Sequence, residues 1–180
     1  MARYIRSKSK IFKSKRSSKI RTVHTKYLLM TKIISIVSGG FDPIHPGHIM
    51  MMEECKSFSD HLIVGLNSND WLKRKKGNFF MDIKHRIYVT SNLRVVDECM
   101  EFNDGDDSAS DLLKKVYDKY KDHKIIFANG GDRSDPSKVR ELEIAAKLKI
   151  ELKFGVGGNH KESSSSDLLG RWKKFILENN

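Results

Sequence analysis

His45 and His48 stand three residues apart, with Pro46 and Gly47 between them. An imidazole titrates near neutrality and presents a donor or an acceptor. Two of them on one turn can therefore meet negative charge developing on a phosphate. Gly47 leaves no side chain between the rings, so a ligand can approach the backbone closely. Upstream runs Ser38-Gly39-Gly40-Phe41-Asp42-Pro43-Ile44, where two glycines let the chain bend with its N–H groups toward an anion. Plainer readings exist for the same residues. The glycines also suit an ordinary turn. A His pair at this spacing is half a metal site, for which no third His or Cys partner is evident.

These residues need elements to hold them. Ile33–Ser38 is a short β-branched run that predicts a buried strand, and Gly47–Phe58 reads as a helix. The two rings would then flank a helix N-terminus, where backbone donors favour anions. Further strands are expected at His61–Leu66, Glu98–Phe102, Lys124–Ala128 and Ile150–Phe154. Between them, Asn67–Phe80 is polar and basic with room for a short helix, and Asp82 caps a helix to about Asn92. Ser108 and Asp111 have capping-box spacing before a helix Leu112–Tyr120. Asp135-Pro136 opens a helix to about Leu148, and Ser164 with Asp167 opens the last, to about Leu177. Strands separated by helices predict an α/β fold: a five-stranded, Rossmann-like parallel sheet with helices on both faces. The loop after the first strand is not GxGxxG, which argues against a dinucleotide-binding dehydrogenase.

GGFDPIHPGH resembles the HxGH signature of the cytidylyltransferase-like nucleotidylyltransferase superfamily. Class I aminoacyl-tRNA synthetases share the four-residue box, but 180 residues leave no room for their further domains. The resemblance extends over about residues 33–177. Asn67–Asp70, Lys73-Arg74-Lys75-Lys76-Gly77 and His85-Arg86 resemble the stretch after the second strand in two families. These are the ADP-heptose synthase adenylyltransferase domains and the glycerol-3-phosphate cytidylyltransferases. The resemblance implies that Lys76, and next to it Lys73, meets the acceptor phosphate and the triphosphate. A solvated charge run is the alternative.

Ala128-Asn129-Gly130-Gly131-Asp132-Arg133 resembles those families' GGD turn near base and ribose, or is a plain turn. Gly155–Ser166 sits where the superfamily carries its second motif, or is a serine-rich linker. Lys161 replaces the usual Arg there, and Glu162 the usual hydrophobic residue.

The resemblance implies transfer of a nucleoside monophosphate from CTP or ATP to a phosphorylated sugar or polyol, with release of pyrophosphate. His45, His48 and Lys76 would be catalytic. Gly39, Gly40, Phe41, Gly47, Gly131, Asp132, Ser163, Ser164 and Ser165 would bind the nucleotide, and Lys73, Arg133 and Lys161 the acceptor and phosphates. Mg²⁺ would arrive with the triphosphate and no resident metal site is expected. Asp42 would fix the loop rather than touch that ion. Alternatives are a nicotinate or nicotinamide mononucleotide adenylyltransferase, which FDPIHPGH also fits, and a nucleotide-binding protein without catalysis. A homodimer is compatible with this reading.

Charge is distributed unevenly. The chain has 34 Lys and Arg; ten lie in residues 1–29, where there is no acid, so 24 remain against all 23 acids. The body, residues 30–180, is thus nearly neutral, and the net +11 belongs to the tail. That tail is expected to be disordered, with a targeting segment or a weak polyanion tether as alternatives. Translation beginning at Met30 is a further alternative. It lacks the apolar stretch of a secretory signal, and no run reaches membrane-span length. Cys55 and Cys99 form no CxxC pair, so a reducing, cytoplasmic setting is the expectation.

Overall fold

Five short strands, the central three of them apolar runs, pair side by side into one parallel sheet in the computed structural model, which describes residues 31–130, 140–158 and 164–179. The strands are β1 (Ile33–Gly39), β2 (His61–Leu66), β3 (Glu98–Glu101), β4 (Lys124–Gly130) and β5 (Glu151–Val156). Their order is β3-β2-β1-β4-β5. Each parallel pairing needs a crossover, and helices supply it. They are α1 (Pro46–Phe58), α2 (Asn69–Lys76), α3 (Ile83–Ser91), α4 (Ser110–Tyr120), α5 (Leu142–Leu148) and α6 (Ser165–Glu178).

Alternation along the strands divides the core in two. Ile34, Ile36, Ile63 and Phe127 pack with Leu112, Leu113 and Val116 of α4 and Ala145 of α5. Val37, Leu62, Val64, Leu66 and Ala128 pack with Met52 and Cys55 of α1. Both faces are therefore covered, which is why β1, β2 and β4 read as continuous apolar runs. Gly65 of β2 lets α4 come close: a Cβ there would lie 2.2 Å from a Leu112 methyl. No helix among the described residues is long and apolar enough to cross a membrane.

Several expectations need adjusting. The capping box at Ser108 and Asp111 does not form. The Asp106 carboxylate takes the Ser108 hydroxyl at 2.9 Å, and Asp111 instead accepts from the Asn103 amide at 2.8 Å. The α4 N-cap is Ala109, without a side-chain cap. The expected helix start at Asp135-Pro136 lies outside the described residues, and the described helix begins at Leu142. Asp82 caps α3 as expected, accepting from the Lys84 amide at 2.9 Å. Strands β4 and β5 run two residues further than the apolar runs alone suggest.

Candidate active site

The strand order reverses between β1 and β4, and ligands of such sheets sit at the carboxyl ends beside that reversal. The β1 end leads into the glycine loop. A Cβ at Gly40 would lie 2.8 Å from Leu72 Cδ2, so the loop packs directly on α2. Phe41 is buried with φ +49°, a left-handed conformation unusual for an aromatic residue. Its ring meets His48 edge-on at 5.0 Å.

Two charged residues hold this turn. Asp42 is fully buried, and its carboxylate accepts from the Phe80 and Met81 amides at 2.7 and 2.8 Å. It fixes the loop, as expected. Arg86 of α3 is also fully buried. Its guanidinium donates to the carbonyls of Gly40 (2.9 Å), Asn67 (2.7 Å) and Met81 (2.9 Å), and to Asn69 Oδ1 (2.8 Å). Sequence reasoning gave Arg86 no role. The available signal was its position four residues before Thr90, on the buried side of α3.

His45 is the N-cap of α1, with no side-chain cap bond, and Pro46 follows it at the first helical position. The rings of His45 and His48 stack with centroids 3.7 Å apart. Gly47 eases this approach, because a Cβ there would lie 3.2 Å from His45 Cε1, and the ring would have to shift. The Nδ1 atoms of both rings are buried without a hydrogen-bond partner. Burial pushes the His48 pKa down to about 3, helped by His45 and Lys76. Burial and Lys76 also lower His45, against the opposing charge of Asp167. The pair is thus neutral at pH 7, in a positive field that an arriving anion would relieve.

Lys76 ends α2, where Gly77 at φ +86° turns the chain. Its ammonium donates to the Asp42 carbonyl at 3.2 Å. Burial lowers its pKa and Arg86 adds to this, while the Asp42 charge opposes it. Lys73 is placed differently. It pairs with Asp70 at 3.2 Å and lies over the Phe79 ring, half-exposed.

The start of α6 closes the arrangement. Ser164 caps it through a capping box with Asp167, in bonds of 3.1 and 3.0 Å. The Ser165 hydroxyl donates to the Pro43 carbonyl at 2.9 Å. In that arrangement its proton is not available to a phosphate. Gly131, Asp132, Arg133, Lys161 and Ser163 lie outside the described residues.

The carboxylates near the loop are poorly suited to hold Mg²⁺. Both Asp42 oxygens take backbone amides, and an Asp167 oxygen takes the Ser164 amide. Among the described residues, no three His, Cys, Asp or Glu side chains gather as a metal site. An ion carried by a triphosphate would keep phosphate and water ligands.

Known proteins resemble this chain in sequence or in fold. The bifunctional protein HldE of Haemophilus influenzae is 36% identical over 112 residues, covering 55% of this chain and 23% of its own. That of Aliarcobacter butzleri is 30% identical over 154 residues, covering 81% of this chain and 30% of its own. The chain thus spans less than a third of these relatives. A solved lipopolysaccharide core biosynthesis protein from Thermoplasma volcanium superposes with a TM-score of 0.50 at 26% identity, covering 69% of this chain and 94% of its own. A solved putative nicotinate-nucleotide adenylyltransferase from Vibrio parahaemolyticus reaches 0.57 at 16% identity, covering 80% and 88%, a likeness of fold alone. The family model described as cytidylyltransferase-like matches residues 36–169, from β1 through the histidine loop to the first turn of α6, and the chain belongs to that family.

Proposed function

We propose that this protein transfers a nucleoside monophosphate from CTP or ATP to a phosphorylated sugar or polyol and releases pyrophosphate. One observation carries the reading: a stacked histidine pair at a helix start, with Lys76 bonded to the loop before it and α6 bonded to the same loop. A phosphorylated acceptor is already anionic at neutral pH, so its own oxygen attacks the α-phosphorus without a general base. The new O–P bond forms as the bond from the α-phosphorus to the bridging oxygen breaks, and pyrophosphate leaves.

What remains for the chain is alignment and charge stabilisation. His45 and His48 donate to oxygens of the α-phosphate, where negative charge accumulates in the transition state. Lys76 holds the acceptor phosphate and the triphosphate together despite their repulsion. The backbone N–H groups at the start of α6 receive the departing pyrophosphate. The Lys-rich α2 and the kinship with a lipopolysaccharide core biosynthesis protein favour a sugar or polyol phosphate as acceptor.

The test is a panel of CTP and ATP, each with Mg²⁺ and with heptose 1-phosphate, glycerol 3-phosphate or nicotinate mononucleotide. Pyrophosphate release is the readout. Turnover with a sugar or polyol phosphate is expected. Turnover confined to nicotinate mononucleotide, or absent throughout, overturns the reading.

A further inference from the structure

Asn129 lies in β4, one residue before the strand ends, and is 4% exposed. Its Nδ2 is a buried amide nitrogen with no partner. Only two other buried side-chain polar atoms among the described residues share that state, and they are Nδ1 of His45 and of His48. All three lie at the carboxyl end of the sheet, on β1's loop and on β4. Leaving a buried donor unpaired destabilises a protein, so native chains retain few such groups.

The backbone around Asn129 points the same way. The β1–β4 register is continuous from Ile33 and Lys124 to Ile36 and Phe127 and goes no further. Asn129 stands two residues past that point, at the reversal of strand order. On its other side, the β4–β5 register is irregular between Ala128 and Gly130, so the ladder breaks at Asn129 itself. Irregularities of this kind re-aim side chains next to binding sites. Gly130 has its own constraint, since a Cβ there would lie 2.5 Å from Met51 Sδ. The chain is therefore held on both sides of a carboxamide whose Nδ2 has no partner in the protein.

We propose that Asn129 is a substrate-recognition residue, whose Nδ2 donates to an uncharged oxygen or ring nitrogen of the substrate at the switch point. This deepens the proposed function and rests on it. The cationic and imidazole groups of the site match phosphates. A neutral amide donor matches the other substrate chemistry, a hydroxyl, a base carbonyl or a ring nitrogen. The nucleoside of the triphosphate and the carbon chain of the acceptor both offer such atoms. A site built to bond a polar atom discriminates strongly against substrates that lack it.

The experiment compares wild type with Asn129→Ala and Asn129→Asp, using the nucleotide and acceptor pair that the panel identifies. One KM should rise about 10–100-fold in both variants, with kcat changed less. A rise for the triphosphate assigns the contact to the nucleoside, and a rise for the acceptor assigns it to the carbon chain. The ligand-free Tm of Asn129→Ala should stay within about 2 °C of wild type, because no intramolecular bond is lost. Unchanged KM values for both substrates overturn the proposal. So does a ligand-free Tm lowered by more than about 5 °C, which marks a structural role. If wild type turns over no pair, the activity reading fails separately. Thermal shift with Mg·ATP, Mg·CTP, heptose 1-phosphate and glycerol 3-phosphate then decides: stabilisation of wild type by any of them that is lost in Asn129→Ala supports the contact, and no difference with all four overturns it.

Discussion

The Ser165 hydroxyl donates to the Pro43 carbonyl at 2.9 Å, across 122 residues of sequence. Through this bond the first turn of α6 and the loop before α1 share one position. Two helix N-termini thereby converge on one place, and both favour anions. Ser165→Ala removes the bond but leaves the Ser164–Asp167 cap intact. The expected loss of stability is about 1 kcal/mol, the net value of one such bond. KM for the triphosphate should rise several-fold, measured by pyrophosphate release. An unchanged KM would show that α6 keeps its place without this bond.

His48 should matter far more for turnover than for folding. The residue is half-buried, and its buried Nδ1 bonds nothing in the protein. His48→Ala is expected to leave a cooperative melt and to lower kcat by about 10²–10⁴-fold, the range for a lost transition-state donor or proton-transfer group. Near-normal turnover in a well-folded variant would remove His48 from the chemistry.

Lys76 and Lys73 should separate. Lys76 reaches the loop backbone, whereas Lys73 pairs with Asp70 at the surface. Lys76→Ala should raise KM for the acceptor or the triphosphate at least tenfold, with a partial fall in kcat. Lys73→Ala should change either by less than about threefold, since exposed pairs contribute little. Steady-state kinetics on both variants checks this, and the reverse ranking would refute the assignment to Lys76.

Acid should destabilise the fold through the same histidine. The folded pKa of His48 is about 3 against 6.5 for an unperturbed ring. Between these values the unfolded chain binds a proton that the folded chain does not. Stability is therefore full above pH 6.5 and falls as pH drops toward 3. Carboxylates with lowered pKa values, such as Asp97 and Glu98, add to the fall only at lower pH. Tm should decline between pH 6.5 and 5, and His48→Asn should flatten that decline. Equal slopes for both proteins would contradict the burial of a neutral ring.

Much of this was legible in the residues. Ile33–Ser38 and His61–Leu66 read as buried strands because helices cover both faces, which removes alternation and leaves continuous apolar runs. The histidine loop was legible because Gly39, Gly40 and Gly47 are each constrained by close contacts that any side chain would crowd. Ser108 misled because its hydroxyl had a nearer carboxylate, that of Asp106, than the helix it was expected to cap. The burial of Asn129 and the bracing by Arg86 were not legible. An asparagine near a turn looks ordinary until its burial is known, and an arginine in a basic stretch looks solvated. Their significance depends on partners 46 residues away for Arg86 and on the lack of any for Nδ2 of Asn129.

The Arg86 guanidinium touches carbonyls on three separate segments, at Gly40, Asn67 and Met81. Asp42 and the Asn67 amide join those segments again, the latter by donating to Gly39. None of the three can swing out alone without leaving a buried N–H of the Arg86 guanidinium unpaired. They consequently open as one cooperative unit. Amide hydrogens at Asn67, Phe80 and Met81 should exchange with solvent deuterium at a common opening free energy, and Arg86→Met should lower protection at all three together. Common exchange would mean that ligand entry relies on motion outside this unit, with the floor of the site moving only by partial unfolding.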